Sequence, residues 1–295
     1  MRVSNRSTYQ GIQLNLMDIA GQLKSLNEQI SSGKRINRPS DDPIGITQAL
    51  GLTNMLSKIG QYQKNIQFGE SWVNATESSL QDISNLIVRG KEIANQMATG
   101  TYSADQRANA ASEVQTLLDQ LKGLGNTQLN GRYLFSGYQE QSPAYDQNYN
   151  YLGDTKDIEV PIGESVQMKI NLTGDAVFGP DGDPNNNLFQ IMTGLRDALQ
   201  NNDTSGVQSG LEKLNSFQPK IESDLADVGS WLNRMENSNN MLSDLQQNHT
   251  QRLADVEDTD IVTATTDLTA EQSAYQAALY SAAQITKLSL VDFLK

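Results

Sequence analysis

The chain has 295 residues, and 22 lysine and arginine residues against 35 aspartate and glutamate residues give it a formal charge of −13. It contains no cysteine and one histidine, which excludes disulfide scaffolds, thiolate metal sites, cysteine nucleophiles and multi-histidine metal sites. The net acidity also argues against a nucleic-acid partner, because binding to phosphates needs basic patches.

The first segment carries an unbroken seam of apolar residues. From Tyr9 onward they are spaced three and four apart, so they lie along one narrow stripe of a helix. An isolated helix cannot bury such a stripe, so we predict that it is half of an assembly interface. This half comprises Ile12, Leu16, Ile19, Leu23, Leu26 and Ile30. The helix should end at Ser31-Ser32-Gly33, since glycine suits the left-handed residue that closes a helix.

A second helix is predicted to start at Pro43, with Asp42 as its N-cap. Proline favours the first helical position, and an aspartate before it accepts a free backbone N–H group. The apolar seam of this helix continues without a break to about Ala98, which gives a length on the order of 80 Å at about 1.5 Å per residue. A helix of this length indicates a rod or a bundle.

A third helix and a change in composition mark the middle of the chain. Ser103 and Gln106 form a capping box for this helix, which should run back antiparallel to the second one as far as about Leu129. Residues 131–187 are then rich in glycine, proline, aspartate, asparagine and β-branched residues, in short runs separated by turn residues. This composition predicts a small β-rich domain.

Helical spacing resumes at Leu188 with a short helix. A long seam follows from Leu211 to Leu253, and Pro219 should interrupt it and kink the helix. The last segment, from about Asp260, carries a narrower stripe of smaller residues. We predict that this stripe is the second half of the assembly interface, comprising Leu268, Tyr275, Ala278, Ala282 and Ile285.

The charges of the two ends favour their pairing. Residues 1–40 hold six basic and two acidic residues, a net of +4, whereas residues 251–295 hold three basic and seven acidic residues, a net of −4. Opposite charges on two apolar seams suit helices that pack together, within one chain or between neighbours.

These patterns predict a mainly α fold, a long antiparallel helical bundle or rod formed by the N- and C-terminal segments, with a small β-rich domain inserted in the middle. The expected parts are the terminal amphipathic helices (1–42 plus 256–295), a helical rod domain (43–130 plus 188–255) and the β-rich outer domain (131–187).

No group of residues is typical of catalysis, cofactor binding or metal binding. His249 lies on the last long seam without a second histidine or a nucleophile near it in sequence. Residues 181–187 resemble a calcium loop, but Asn186 replaces the sharp-turn glycine and Met192 replaces the bidentate glutamate. We therefore expect a solvated turn at residues 181–187. We also expect that the protein is not an enzyme and binds no cofactor.

The connection between the first two helices is strongly charged. Lys34, Arg35 and Arg38 precede Asp41 and Asp42. The basic residues could contact phosphate, but the adjacent acids favour a local network of ion pairs.

The sequence predicts neither a cleaved signal peptide nor insertion into a membrane. The N-terminal segment lacks an apolar core, and no apolar run approaches the roughly 20 residues that span a bilayer. These features alone would place the chain in the cytoplasm.

Two motifs and the order of the elements resemble the bacterial flagellin family. Residues 31–37 (Ser-Ser-Gly-Lys-Arg-Ile-Asn) followed by residues 39–43 (Pro-Ser-Asp-Asp-Pro) are similar to the N-terminal signature of that family, and residues 255–261 to its C-terminal region. Residues 1–4, 130–138 and 290–294 are similar to hook-associated members of the family rather than to flagellin itself.

The resemblance implies a structural adaptor between the flagellar hook and the filament, exported by the flagellar secretion apparatus without a cleaved signal. It implies four partners: further copies of the chain in a ring, hook-associated protein 1 on the hook side, flagellin on the filament side, and an export chaperone before secretion. Two alternatives stay open. One is flagellin, the filament subunit, and the other is a secreted coiled-coil adhesin or effector.

Overall fold

The computed structural model describes the backbone of residues 2–293, and the side chains of residue 7 and residues 9–284. This part of the chain is mainly helical, with long helices at both ends and short strands in the middle, as the sequence predicts. The elements are α1 (Arg2–Ser32), α2 (Pro43–Met97), α3 (Ala104–Gly125), β1 (Gln128–Leu129), β2 (Arg132–Tyr133), β3 (Glu159–Pro161), β4 (Gln167–Lys169), α4 (Gly174–Phe178), α5 (Leu188–Gln200), α6 (Thr204–Glu257) and α7 (Ile261–Phe293).

The helix ends follow the capping signals in the sequence. Gly33 closes α1 in the left-handed region, with a φ of 72°. The Asp42 carboxylate accepts the Gly45 N–H group at 2.8 Å at the start of α2. Ser103 and Gln106 form the predicted capping box of α3. These three predictions are confirmed, because each depends only on neighbouring residues.

One predicted helix limit and one predicted interruption are wrong. α3 ends at Gly125, before the predicted Leu129, because Gln128 and Leu129 pair with β2 instead. α6 runs through Pro219 from Thr204 to Glu257, so the helix is not interrupted there, and the kink stays a prediction. Phe217 and Ile221 are buried on either side of the proline, and their packing outweighs the loss of one backbone hydrogen bond.

The chain divides into two compact units. One consists of Met1–Lys58 with Leu245–Lys295, and the other of Ile59–Asp244. The limits of these units fall inside α2 and α6. The division into terminal, rod and outer domains stays a prediction.

The second unit contains a continuous apolar core, in which α3 packs against α5. Its strands form two antiparallel hairpins. In the first, Asn130 and Gly131 have positive φ angles of 53° and 80°, as a tight two-residue hairpin turn requires. In the second, Val160 pairs with Met168.

The β-rich segment of this unit is held mainly by aromatic side chains, because each of its strands is only two or three residues long. The ring of Tyr145 lies 5.1 Å from that of Phe178 and 4.7 Å from that of Phe189. Burial raises the pKa of the Tyr145 hydroxyl far above its usual value. The segment also contains the short helix α4, which the sequence pattern does not predict.

The first unit has a much smaller core. α1 packs against α7 in this unit. Among its described apolar side chains only Ile36, Ala49 and Ala264 are fully buried. Most of the described side chains of the two terminal helices are exposed.

Candidate assembly interface

The predicted seam of α1 is the side of that helix that is shielded from solvent. All six predicted residues (Ile12, Leu16, Ile19, Leu23, Leu26 and Ile30) are half-buried, whereas most of the residues between them are exposed. Since α1 packs against α7, we assign the shielding of this seam to α7.

The predicted stripe of α7 is shielded in the same way. Leu268, Tyr275, Ala278 and Ala282 are half-buried, and the side chain of Ile285 lies outside the described residues. Glu271 is also half-buried and occupies the stripe position between Leu268 and Tyr275. An apolar pattern does not identify it, because its side chain is charged. The two helices pack together within one chain, and the predicted stripes are the half-buried sides of both; their role in assembly stays a prediction.

Further apolar side chains lie on the sides of α1 and α7 that face away from the seams, and we name these two sides together the outer face. It consists of Leu14 and Met17 on α1 and Val262 and Tyr280 on α7, which are 62%, 59%, 75% and 68% exposed. At about 100° per residue, each of these residues points away from the seam of its own helix. The sequence pattern does not reveal these side chains, because the seam is the dominant apolar stripe of α1, although Leu14 and Met17 are three residues apart.

The segment that follows α1 is hydrogen-bonded to the segment that precedes α7. Lys34 and Asp258 form an isolated antiparallel bridge. On one side of it the Arg35 N–H group donates to the Glu257 carbonyl at 2.6 Å, and on the other the Thr259 N–H group donates to the Gly33 carbonyl at 3.0 Å. This arrangement joins the end of α1 to the start of α7.

Only part of the predicted ion-pair network is local. Arg35 pairs with Asp42 at 3.3 Å, as the sequence suggests. Lys34, however, pairs with Glu257 at 2.6 Å, and Arg38 pairs with Glu28 at 2.6 Å.

Asp41 and two N-capping aspartates complete the electrostatics of these connections. The Asp41 carboxylate accepts two backbone N–H groups rather than an ion pair. The pKa of Asp42 is lowered mainly by the hydrogen bond from the Gly45 backbone. The pKa of Asp260 is lowered mainly by the hydrogen bond from the Thr263 hydroxyl. Both carboxylates therefore stay ionised at the positive ends of α2 and α7.

The other candidate residues do not form a site. The segment that resembles a calcium loop is a turn, in which the Asp183 side chain accepts the backbone N–H groups of Asn185 and Asn186. His249 is half-buried on α6, and its Nδ1 atom has no hydrogen-bond partner. Among the described residues, no group of three or more acidic or histidine side chains could hold a metal ion. Within the same range, no helix is long and apolar enough to cross a membrane.

Taken together, the elements describe a helical protein whose two ends pair and expose apolar surface. Family models match most of the chain: the bacterial flagellin N-terminal helical region over residues 3–140, and the bacterial flagellin C-terminal helical region over residues 211–294. The protein belongs to the bacterial flagellin family.

Individual relatives show which members of the family this chain is similar to. Flagellar hook-associated protein 3 of Escherichia coli K12 is 30% identical over 317 residues, covering 100% of both chains. Flagellar hook-associated protein 3 of Salmonella typhimurium is 28% identical and covers 98% of both chains. The crystal structure of the flagellar junction protein FlgL from Legionella pneumophila aligns with a TM-score of 0.59 and 17% identity, over 71% of this chain and 99% of that one. Because the identity to the Legionella pneumophila structure is only 17%, that comparison supports the fold alone.

Proposed function

We propose that this protein is a structural adaptor of the bacterial flagellum that joins the end of the hook to the flagellin filament, and that it catalyses no reaction. The observation that carries the proposal is the alignment with hook-associated protein 3 of Escherichia coli over the full length of both chains. The structure supports an assembly role because apolar side chains remain exposed on the terminal helices.

The two apolar surfaces of these helices have different roles in this proposal. The seam residues of α1 and α7 hold the two helices together, so they support the assembly interface from within the chain. The outer face contacts neighbouring subunits. Fully burying a leucine or methionine side chain is worth about 1.5–3 kcal/mol, so Leu14 and Met17 alone would contribute substantially to each contact.

The proposed partners follow from the position between hook and filament. They are further copies of the chain in a ring, hook-associated protein 1 and flagellin. Before assembly, an export chaperone would cover the apolar terminal segments, and the chain would leave the cell through the flagellar secretion apparatus without a cleaved signal. In this scheme, residues 1–42 with 256–295 line the inner tube, and residues 131–187 lie on the outside.

The outer face is tested by placing a charge on it. In the parent bacterium without its own gene for this chain, we expect wild-type protein to restore filaments and Met17→Asp to fail, because the new carboxylate would have to be buried between subunits. Asn15→Asp is the matched control, since it adds the same charge at an exposed polar position of α1. Electron microscopy of the cells scores the filaments. Normal filaments with Met17→Asp would contradict the role of the outer face.

A further inference from the structure

The segment after α1 and the segment before α7 are hydrogen-bonded to each other. Most described residues of the two helices that they lead to are exposed. The residues on both sides of the Lys34–Asp258 bridge supply the main-chain bonds, and the two residues themselves face each other between those bonds. In an antiparallel ladder this is the closer kind of pair, with Cα atoms about 4.5 Å apart.

Side chains reinforce the bridge from both directions. The Lys34 ammonium lies 2.6 Å from a Glu257 carboxylate oxygen, and the Glu257 side chain is only 15% exposed. The Arg35 guanidinium donates to the Val256 carbonyl at 2.9 Å and also pairs with Asp42. Arg35 therefore links three segments: its own connection, the end of α6 and the start of α2.

The connection after α1 is also anchored to the first turn of α2. Ile36 is 2% exposed. A Cβ atom at Gly45 would lie 2.5 Å from the Ile36 Cδ1 atom, so a larger residue at this position would displace the Ile36 side chain. The Asn37 amide donates to the Lys34 carbonyl at 2.8 Å, which holds the connection in a compact turn.

We propose that residues 33–42 and 255–260 form a single joint, and that closing this joint is what brings α1 and α7 together. The seam between the two helices is only half-buried, so its packing alone gives limited stability. A closed joint holds the end of α1 beside the start of α7. This raises the effective concentration of each seam near the other. The ends of the chain then order or separate together.

The absence of cysteine allows a direct test on the isolated, full-length chain. The double variant Lys34→Cys with Asp258→Cys places two thiols at the closely spaced pair, within the range of a disulfide. Hydrogen exchange of the oxidised protein is compared with that of the same protein after reduction, which keeps both substitutions constant. The single variant Lys34→Cys, treated with the same oxidant, controls for the oxidation itself.

The expected result is a disulfide within one chain that slows amide exchange at residues 16–30 of α1 by about tenfold, because the cross-link removes the entropy of bringing the two ends together. Exchange in α3 should not change. The proposal is overturned if the disulfide forms only between chains or does not form, or if the cross-linked chain exchanges at α1 as fast as the reduced one. The test does not depend on flagellar assembly, so its outcome is separate from that of the proposed function.

Discussion

Arg107 is a buried charge that sequence patterns do not reveal. It lies in the first turn of α3 and is 4% exposed. Its guanidinium donates to the carbonyl groups of Met97 at 3.1 Å and Thr99 at 2.8 Å, and to the side-chain oxygen of Asn202. One side chain therefore ties the end of α2, the start of α3 and the turn after α5. The sequence shows only a basic residue near the start of a polar helix. It does not reveal the burial, because the acceptors of Arg107 are backbone carbonyl groups and an asparagine far away in the chain.

We expect Arg107→Met to lower the free energy of unfolding of the second unit by about 3 kcal/mol, since it leaves buried carbonyl groups without donors. Arg89→Met is the matched control, because Arg89 forms exposed ion pairs with Glu92 and Glu113, and such pairs contribute about 0–1 kcal/mol. Urea unfolding followed by tryptophan fluorescence reports on this unit, which contains both Trp72 and Trp231. Equal effects of the two substitutions would contradict this role of Arg107.

At the scale of elements, the sequence predicts what local signals determine. Helix starts such as Asp42 and Ser103 are predicted correctly, and the residues of both terminal stripes that the structure describes are on the shielded sides of their helices. The end of α3 and the continuity of α6 at Pro219 are missed, because β pairing and core packing decide them. The outer face is missed for another reason, since helical periodicity identifies a dominant stripe and not a second, weaker one.

The seam itself can be tested by a charge at Leu23. Leu23→Asp should separate α1 from α7, because a carboxylate would be placed in a half-buried stripe facing a helix that already carries Glu271 on its own stripe. We expect faster amide exchange in α1 and α7, unchanged exchange in α3, and no filaments in cells that carry only this variant. Asn15→Asp again serves as the control for added charge. If the Leu23→Asp chain still supports filaments, the packing of the two terminal stripes is not needed for assembly.

For the whole molecule, long-range pairing is the part that the sequence could not provide. Opposite net charges at the two ends indicate that the ends pair, but not which residues meet. Lys34 and Glu257 are 223 positions apart, and the local acids Asp41 and Asp42 offered a more obvious partner. The family motifs correctly identify the fold and the family, since they span both ends of the chain.

The position of the protein in the flagellum distinguishes the two candidate functions, because a junction adaptor lies between hook and filament and a filament subunit lies along the filament. An affinity tag at the exposed turn around Gly182 would allow gold labelling of intact flagella under the electron microscope. We predict label confined to the boundary between hook and filament, with an unlabelled filament beyond it. Label along the length of the filament would contradict the adaptor function and identify the chain as a filament subunit.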